Sequence, residues 1–179
     1  MALSREQVLE AAGTKYTPSQ TLLGLGSAAH EYGKRRVVVV GLPCEVQAIR
    51  KMQMQPWGMA QVSSRVALAI GLFCHGNFSY NSFIEGYVRS EKGVDPGTIT
   101  GMRISEGYLH LFRGEEEMLK APVKEFSGSR RGACNVCTDF ASELADISVG
   151  RIGSPRGWNT VITRSEAGEK LVQEALRRG

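Results

Sequence analysis

The 179-residue sequence predicts an α/β fold, a short mixed sheet with flanking helices and a small antiparallel meander. Three observations carry that prediction. The runs VVVV (37–40) and VALAIGLF (66–73) are continuous and aliphatic, as expected of strands covered on both faces, and a helical pattern follows each. Residues 97–121 change to short alternating runs separated by Gly101, Gly107 and Gly114, which suits antiparallel strands. The 21 glycines collect at single punctuating positions rather than in a low-complexity tract. With 42% apolar residues there is enough for a core, and no linker or long-period repeat interrupts the chain, so one domain over 1–179 is expected.

In chain order, residues 4–12 predict a short amphipathic helix, which Pro18 ends by disfavouring helical backbone at Thr17. Ser19 can cap a second helix over 20–33, loosened by Gly24 and Gly26. The strand at 37–40 passes through Gly41-Leu-Pro-Cys44 into a helix that runs to Met52, and a polar loop with Pro56 and Gly58 leads to the strand at 66–73. A helix is expected over 79–91, then the meander, then a glycine- and arginine-rich loop at 127–132 that delivers Cys134. Short strands at 146–149 and 158–163 precede a closing helix over 165–178, whose last-turn basic residues favour the helix dipole.

The formal net charge of +4 comes from scattered lysines and arginines, a mild attraction to anions with no basic–aromatic stripe, so a nucleic-acid module is not expected. The amino terminus lacks a basic start followed by an apolar core, and the longest apolar run, 66–74, is far short of the ~20 residues that span a bilayer. A cytoplasmic protein without a membrane span is therefore expected. In a reducing compartment, four cysteines are more often catalytic or metal-bound than disulfide-paired.

One internal echo concerns those cysteines. VVVVGLPC (37–44) and ALAIGLFC (67–74) share a buried strand, then Gly-Leu, one residue and Cys. If the strands lie parallel, Cys44 and Cys74 leave the same carboxyl edge, where open α/β sheets place ligands. Cys44 also opens a helix, where backbone N–H groups and the dipole favour a thiolate. Cys134-Asn-Val-Cys137 adds a C-x-x-C turn, completing four soft ligands. Three readings fit this spacing: one [4Fe–4S] cluster, a four-cysteine zinc site in a non-catalytic interaction domain, or two buried cysteines beside a metal-free redox dithiol. Structural zinc usually draws on two compact pairs, whereas these thiols come from three separate loops, a preference for the cluster.

At this point five ordered blocks bear on the choice. KYTPS (15–19), VVVVGLPCEVQAIRKM (37–52), IGLFC (70–74), CNVCTDFASELADISVG (134–150) and GSPRGWNTVITRSEAGEKLV (153–172) resemble the beta subunits of coenzyme F420 hydrogenases and dehydrogenases, including the F420-reducing hydrogenase and F420-dependent formate dehydrogenase subunits of methanogens. The resemblance implies an oxidoreductase module of an anaerobe, with a [4Fe–4S] cluster at the strand carboxyl ends held by Cys44, Cys74, Cys134 and Cys137. It implies FAD exchanging a hydride with coenzyme F420, and electron transfer to partner subunits of a redox complex or to ferredoxin. Family members carry a glycine- and threonine-rich segment before the KYTPS block that contributes to the flavin pocket. These 179 residues do not contain it, so the chain is expected to correspond to the carboxyl-terminal part of such a subunit.

Against that family, further residues become cofactor candidates. Gly153, Ser154 and Gly157 form a turn through which a ligand can approach the backbone, and Trp158 offers a flat face to a flavin or cluster edge; the plain alternative is a tight turn with Trp158 in the core. Arg130 and Arg131 stand ready for an anionic cluster or the F420 tail, or are simply solvated. Lys15, Tyr16 and Ser19 are candidates for flavin contact, or a helix cap. Asp139 is expected to accept hydrogen bonds that brace the cysteine turn and Asp146 to cap a strand end. No catalytic acid, base or nucleophile is assigned.

Overall fold

A computed structural model of the protein describes residues 1–55 and 60–178; the polar loop expected around Pro56 and Gly58 lies outside them. The chain divides into two compact units, each assembled from two stretches: the first from 1–19 and 76–136, the second from 20–75 and 137–179. No linker composition announces this division.

The second unit holds a four-stranded mixed sheet in which residues 37–41 form one edge, followed in order by 66–72, 147–150 and 160–163. Strands β1 (Val37–Gly41), β2 (Val66–Leu72) and β6 (Ile147–Gly150) run parallel, and β7 (Thr160–Thr163) closes the sheet antiparallel to β6. Each parallel step needs a long crossover. The first is built from α3 (Pro43–Met54) and the short α4 (Ala60–Ser63). Proline in the first turn of α3 gives up no helical hydrogen bond, and Glu45 reaches back so that Oε2 accepts from Leu42 N at 2.7 Å. Helix α2 (Thr21–His30) supplies Leu25 and Ala29 to a core with Val39, Ile49, Val62 and Val66. A smaller cluster joins Val46 of α3, Ala69 of β2 and Ala145.

The echo in the sequence is a register match: Gly41 of β1 pairs with Gly71 of β2. Gly71 is needed there, since a Cβ would run into Ser142 and come within 2.9 Å of the Ala145 Cβ. One expectation is corrected. Residues 37–40 form a strand, but it is covered on one face only: Val39 packs into the core with α2 and α3, whereas Val38 and Val40, which point to the opposite face, are 56% and 52% exposed. The last strand starts two residues later than the pattern suggests, since Pro155 and the left-handed Gly157 (φ 91°) hold the preceding residues in a turn. Helix α5 (Glu166–Arg178) follows, acidic in its first turn and basic in its last.

The first unit contains the antiparallel meander β3 (Gly101–Ser105), β4 (Tyr108–Arg113) and β5 (Glu116–Pro122). The amino-terminal helix α1 (Arg5–Glu10) is capped by Ser4, whose Oγ accepts from Gln7 N at 3.3 Å. The helix expected near 79–91 is present at Tyr80–Glu91 but wound as a π-helix, and just beyond it Lys92 N donates to Tyr87 O at 3.0 Å. Its buried face, Phe83, Ile84, Tyr87 and Val88, packs with Leu109 and Leu111 of β4 and with Phe78 and Phe126. Phe126 sits at the centre, with ring centroids 4.7 Å from Phe83, 5.0 Å from Phe78 and 5.1 Å from Tyr87. Burial, and then the hydrogen bond to Glu125, push the Tyr87 phenol above its usual range.

Candidate functional site

Three of the four cysteines belong to the second unit. Cys44 lies exposed in the first turn of α3, and Cys74 lies half-buried just past β2. Because Gly41 and Gly71 are register partners, each thiol leaves the carboxyl edge of the sheet the same number of residues beyond that pair.

The segment that starts at Cys137 is bonded to both of these places. Cys74 N donates to Phe140 O at 2.9 Å, and the Phe73 and Phe140 rings lie 5.2 Å apart. Gln47 of α3 donates from Nε2 to Asp139 Oδ2 at 2.9 Å, and Asp139 Oδ1 accepts from Glu143 N at 3.0 Å. The bracing expected of Asp139 is therefore present. Its carbonyl oxygen also lies 3.8 Å from the exposed Cys137 Sγ, as acceptor of the thiol. Farther along α3, Arg50 donates from Nε to Leu144 O and from Nη2 to Asp146 Oδ2, both at 2.9 Å.

Asp146 does more than cap a strand end. Its Oδ2 also accepts from the buried Ala69 N at 2.7 Å, so one carboxylate links β2, α3 and the approach to β6. Burial is the largest influence on this carboxyl and acts upward. The hydrogen bonds from Ala69 N, Ser165 and Arg50, with the Arg50 charge, outweigh it and hold the group below the ordinary aspartate value.

Cys134 belongs to the first unit, in a short 3-10 turn, Gly132–Asn135. Its N–H donates to Arg131 O at 2.9 Å and its carbonyl accepts from Arg130 Nη2 at 3.2 Å. Within this unit the chain just after Cys74 is zipped to the chain just before Cys134: Arg131 N donates to Asn77 O at 3.0 Å and Ser79 N to Ser129 O at 2.8 Å. Among the described residues, no three Cys, His, Asp or Glu side chains are grouped closely enough to hold a metal ion. Four thiols suit a thiolate-bound centre by their chemistry, and Cys44 and Cys137 are exposed residues.

The remaining candidates fall into two groups. Lys15 and Ser19 are exposed in the first unit, while Tyr16 is tied into its packing, its Oη accepting from Ile104 N at 3.1 Å. Arg131, also there, is exposed beyond its backbone bond to Asn77. In the second unit Gly153 and Gly157 are both left-handed (φ 88° and 91°), and Ser154 Oγ meets Thr160 Oγ1 at 2.6 Å. The turn is therefore tight, but Trp158 is 71% exposed rather than in the core. Gln47 and Arg50 were missed as site residues; the only available signal was their spacing of three and six positions from Cys44 on a helix.

Residues 34–179 match the family model for the carboxyl terminus of the coenzyme F420 hydrogenase/dehydrogenase beta subunit. The coenzyme F420 hydrogenase subunit beta of Methanothermobacter thermautotrophicus is 34% identical over 179 residues, all of this chain and 63% of that protein. The coenzyme F420-dependent sulfite reductase of Methanocaldococcus jannaschii is 36% identical over 177 residues, 93% of this chain and 27% of that protein. A chain of the F420-reducing [NiFe] hydrogenase complex from Methanosarcina barkeri aligns with a TM-score of 0.86 at 36% identity, covering 99% of this chain and 61% of that one. This chain thus spans 61–63% of three coenzyme F420 hydrogenase beta subunits it matches and 50% of an F420-dependent formate dehydrogenase beta subunit. With the strand-end cysteines, the C-x-x-C turn and a match over most of its length, the chain belongs to the coenzyme F420 hydrogenase/dehydrogenase beta subunit family, whose carboxyl-terminal region it contains.

Proposed function

We propose that this chain is the electron-carrying part of an F420-linked oxidoreductase, with Cys44, Cys74, Cys134 and Cys137 holding one [4Fe–4S] cluster. The observation that carries the reading is the Cys137–Phe140 segment, which is hydrogen-bonded both to the helix that bears Cys44 and to the backbone of Cys74. Cys134, three residues earlier in sequence, supplies the fourth thiolate. Cys44 sits in the first turn of α3, and the irregular segments that carry Cys74 and Cys137 are fixed to each other by the Cys74 N to Phe140 O bond, so ligation costs little further ordering of that backbone.

The cofactors in this reading are the cluster, which supplies one-electron steps, and FAD, which converts them to a hydride pair for coenzyme F420. The residues proposed to contact flavin are Lys15, Tyr16, Ser19, Arg131, Gly153, Ser154, Gly157 and Trp158. The left-handed Gly157 has no neighbouring atom where a side chain would stand, which leaves room for a cofactor to approach that backbone, and the exposed Trp158 indole beside it is available for stacking. Arg131 adds positive charge next to the C-x-x-C turn. The proposed electron partners are other subunits of a redox complex or ferredoxin. No helix among the described residues is long and apolar enough to cross a membrane.

The test is anaerobic purification with iron, sulfide, zinc and flavin analysis. The expected result is about four irons and four sulfides per chain, with a broad absorption near ~400 nm that dithionite bleaches. Replacing any of the four cysteines by serine should lower the iron content. A colourless protein with one zinc, or a chain in which only Cys134 and Cys137 matter, overturns the proposal in favour of a zinc-stabilised interaction domain or a redox dithiol.

A further inference from the structure

We infer that Gln47 and Asp139 form a positioning pair that sets the Cys44 thiolate against the Cys137 thiolate, an inference that rests on the cluster reading above. Cys44 and Gln47 are three residues apart in α3 and so lie on one helix face. Asp139 follows Cys137 by two residues, and its carboxylate is used at both oxygens. Oδ1 closes the cysteine turn on itself by accepting from Glu143 N at 3.0 Å, and Oδ2 fastens that turn to α3 through Gln47 Nε2 at 2.9 Å. The carbonyl of the same residue touches the Cys137 sulfur at 3.8 Å. The bond between the two side chains is part-buried, so water does not freely replace it.

A four-thiolate centre assembled from distant parts of a chain needs its ligands held to a fraction of an ångström before the inorganic part arrives. Another tie between α3 and this loop, from Arg50 to Leu144 and Asp146, lies farther along the helix from Cys44. The Gln47–Asp139 bond joins the two ligand-bearing turns directly. A carboxylate beside an anionic cluster is electrostatically unfavourable, so its presence points to geometry rather than charge as its task. The two can be separated. Asparagine at 139 still offers an oxygen to Glu143 N and, with the Gln47 amide turned over, an NH2 to Gln47 Oε1, so the tie survives without the charge.

The experiment uses the full chain, reconstituted anaerobically, and reads the half-life of iron release to an excess of ferrous chelator, with EPR of the dithionite-reduced state. Gln47→Ala and Asp139→Ala should each shorten the half-life on the order of tenfold and broaden or shift the EPR signal. The double variant should be no worse than either single one. Asp139→Asn should keep the wild-type half-life while moving the reduction potential upward. Gln53→Ala is the matched control. It removes other α3 bonds, to Ser63 O at 3.0 Å and from Arg50 Nη1 at 2.8 Å, while Arg50 keeps Leu144 O and Asp146, and it should leave iron release unchanged. Wild-type half-lives in both alanine variants overturn the pairing and leave the cluster reading standing. So does Asp139→Asn failing like Asp139→Ala, or Gln53→Ala failing like Gln47→Ala. A wild-type chain that takes up no iron and sulfide overturns both.

Discussion

Asp146→Ala should cost the protein about 2–4 kcal/mol of stability, a figure assembled from the partners it strands. The Ala69 N–H, on a residue with no exposure, loses its 2.7 Å acceptor. Stranding a buried donor costs ~1–3 kcal/mol. Arg50 loses its ion pair, but its side chain is 24% exposed and keeps Leu144 O and Gln53, so this part adds only about 1 kcal/mol. The backbone bond from Arg164 N to Asp146 O survives the change. Asp146→Asn retains an acceptor for Ala69 and loses the charge, so it should cost about 1 kcal/mol. Acid distinguishes the two contributions. Because the folded carboxyl titrates below the ordinary aspartate value, its charge stabilises the fold fully above the unfolded pKa of ~3.9, and that stabilisation fades as pH falls through the lower folded value. The gap between wild type and Asp146→Asn should therefore be constant near neutrality and close on acidification below about pH 4. Urea unfolding followed by far-ultraviolet circular dichroism, under reducing conditions at a series of pH values, measures both quantities. A loss under ~0.5 kcal/mol for Asp146→Ala, or a gap that persists into acid, refutes the account.

Two further substitutions probe one unit each. Gly71→Ala places a methyl against Ser142, which is fully buried, and against Ala145; overpacking there should destabilise by ~1–3 kcal/mol in the same urea assay, and an unchanged midpoint would show that the 142–145 turn yields freely. Phe126→Ala removes the ring shared by Phe78, Phe83 and Tyr87 and should cost ~3–5 kcal/mol, with hydrogen exchange accelerating first in Tyr80–Glu91; a cost below ~1 kcal/mol would mean that the aromatic cluster collapses to fill the space.

The parallel pairing of β1 with β2 was legible because two copies of Gly-Leu-x-Cys follow two aliphatic runs, and a repeated local pattern encodes a shared register. The exposure of Val38 and Val40 was not legible. Whether a β-branched run is covered on one face or two depends on which distant elements pack over each face, which no local window contains. The four cysteines are legible as a candidate donor set by type and count. The residues that tie them together are not, for Gln47 and Asp139 are 92 positions apart and Arg50 and Asp146 are 96 apart. Tyr16 illustrates another limit. In KYTPS it reads as part of a cap or a ligand contact, yet its hydroxyl accepts from Ile104 N, a partner supplied by a strand 88 residues away.

The interleaving of the two units has a consequence for synthesis on the ribosome. Residues 76–136, the larger part of one unit, emerge between the two halves of the other. While they are being made, β1 and β2 have no β6 beside them, and the Ala69 N–H waits 77 residues for Asp146. Roughly sixty residues separate Cys74 from Cys137, so at ~5–20 residues per second the nascent chain spends about 3–12 s with both Cys44 and Cys74 translated before the loop that ties their neighbourhoods. During that interval oxygen and adventitious zinc meet thiols whose final geometry has not formed. For the cluster proposed above, loading therefore belongs to the time after residue 137 has been released, so the conditions of translation, and not only of purification, bear on it.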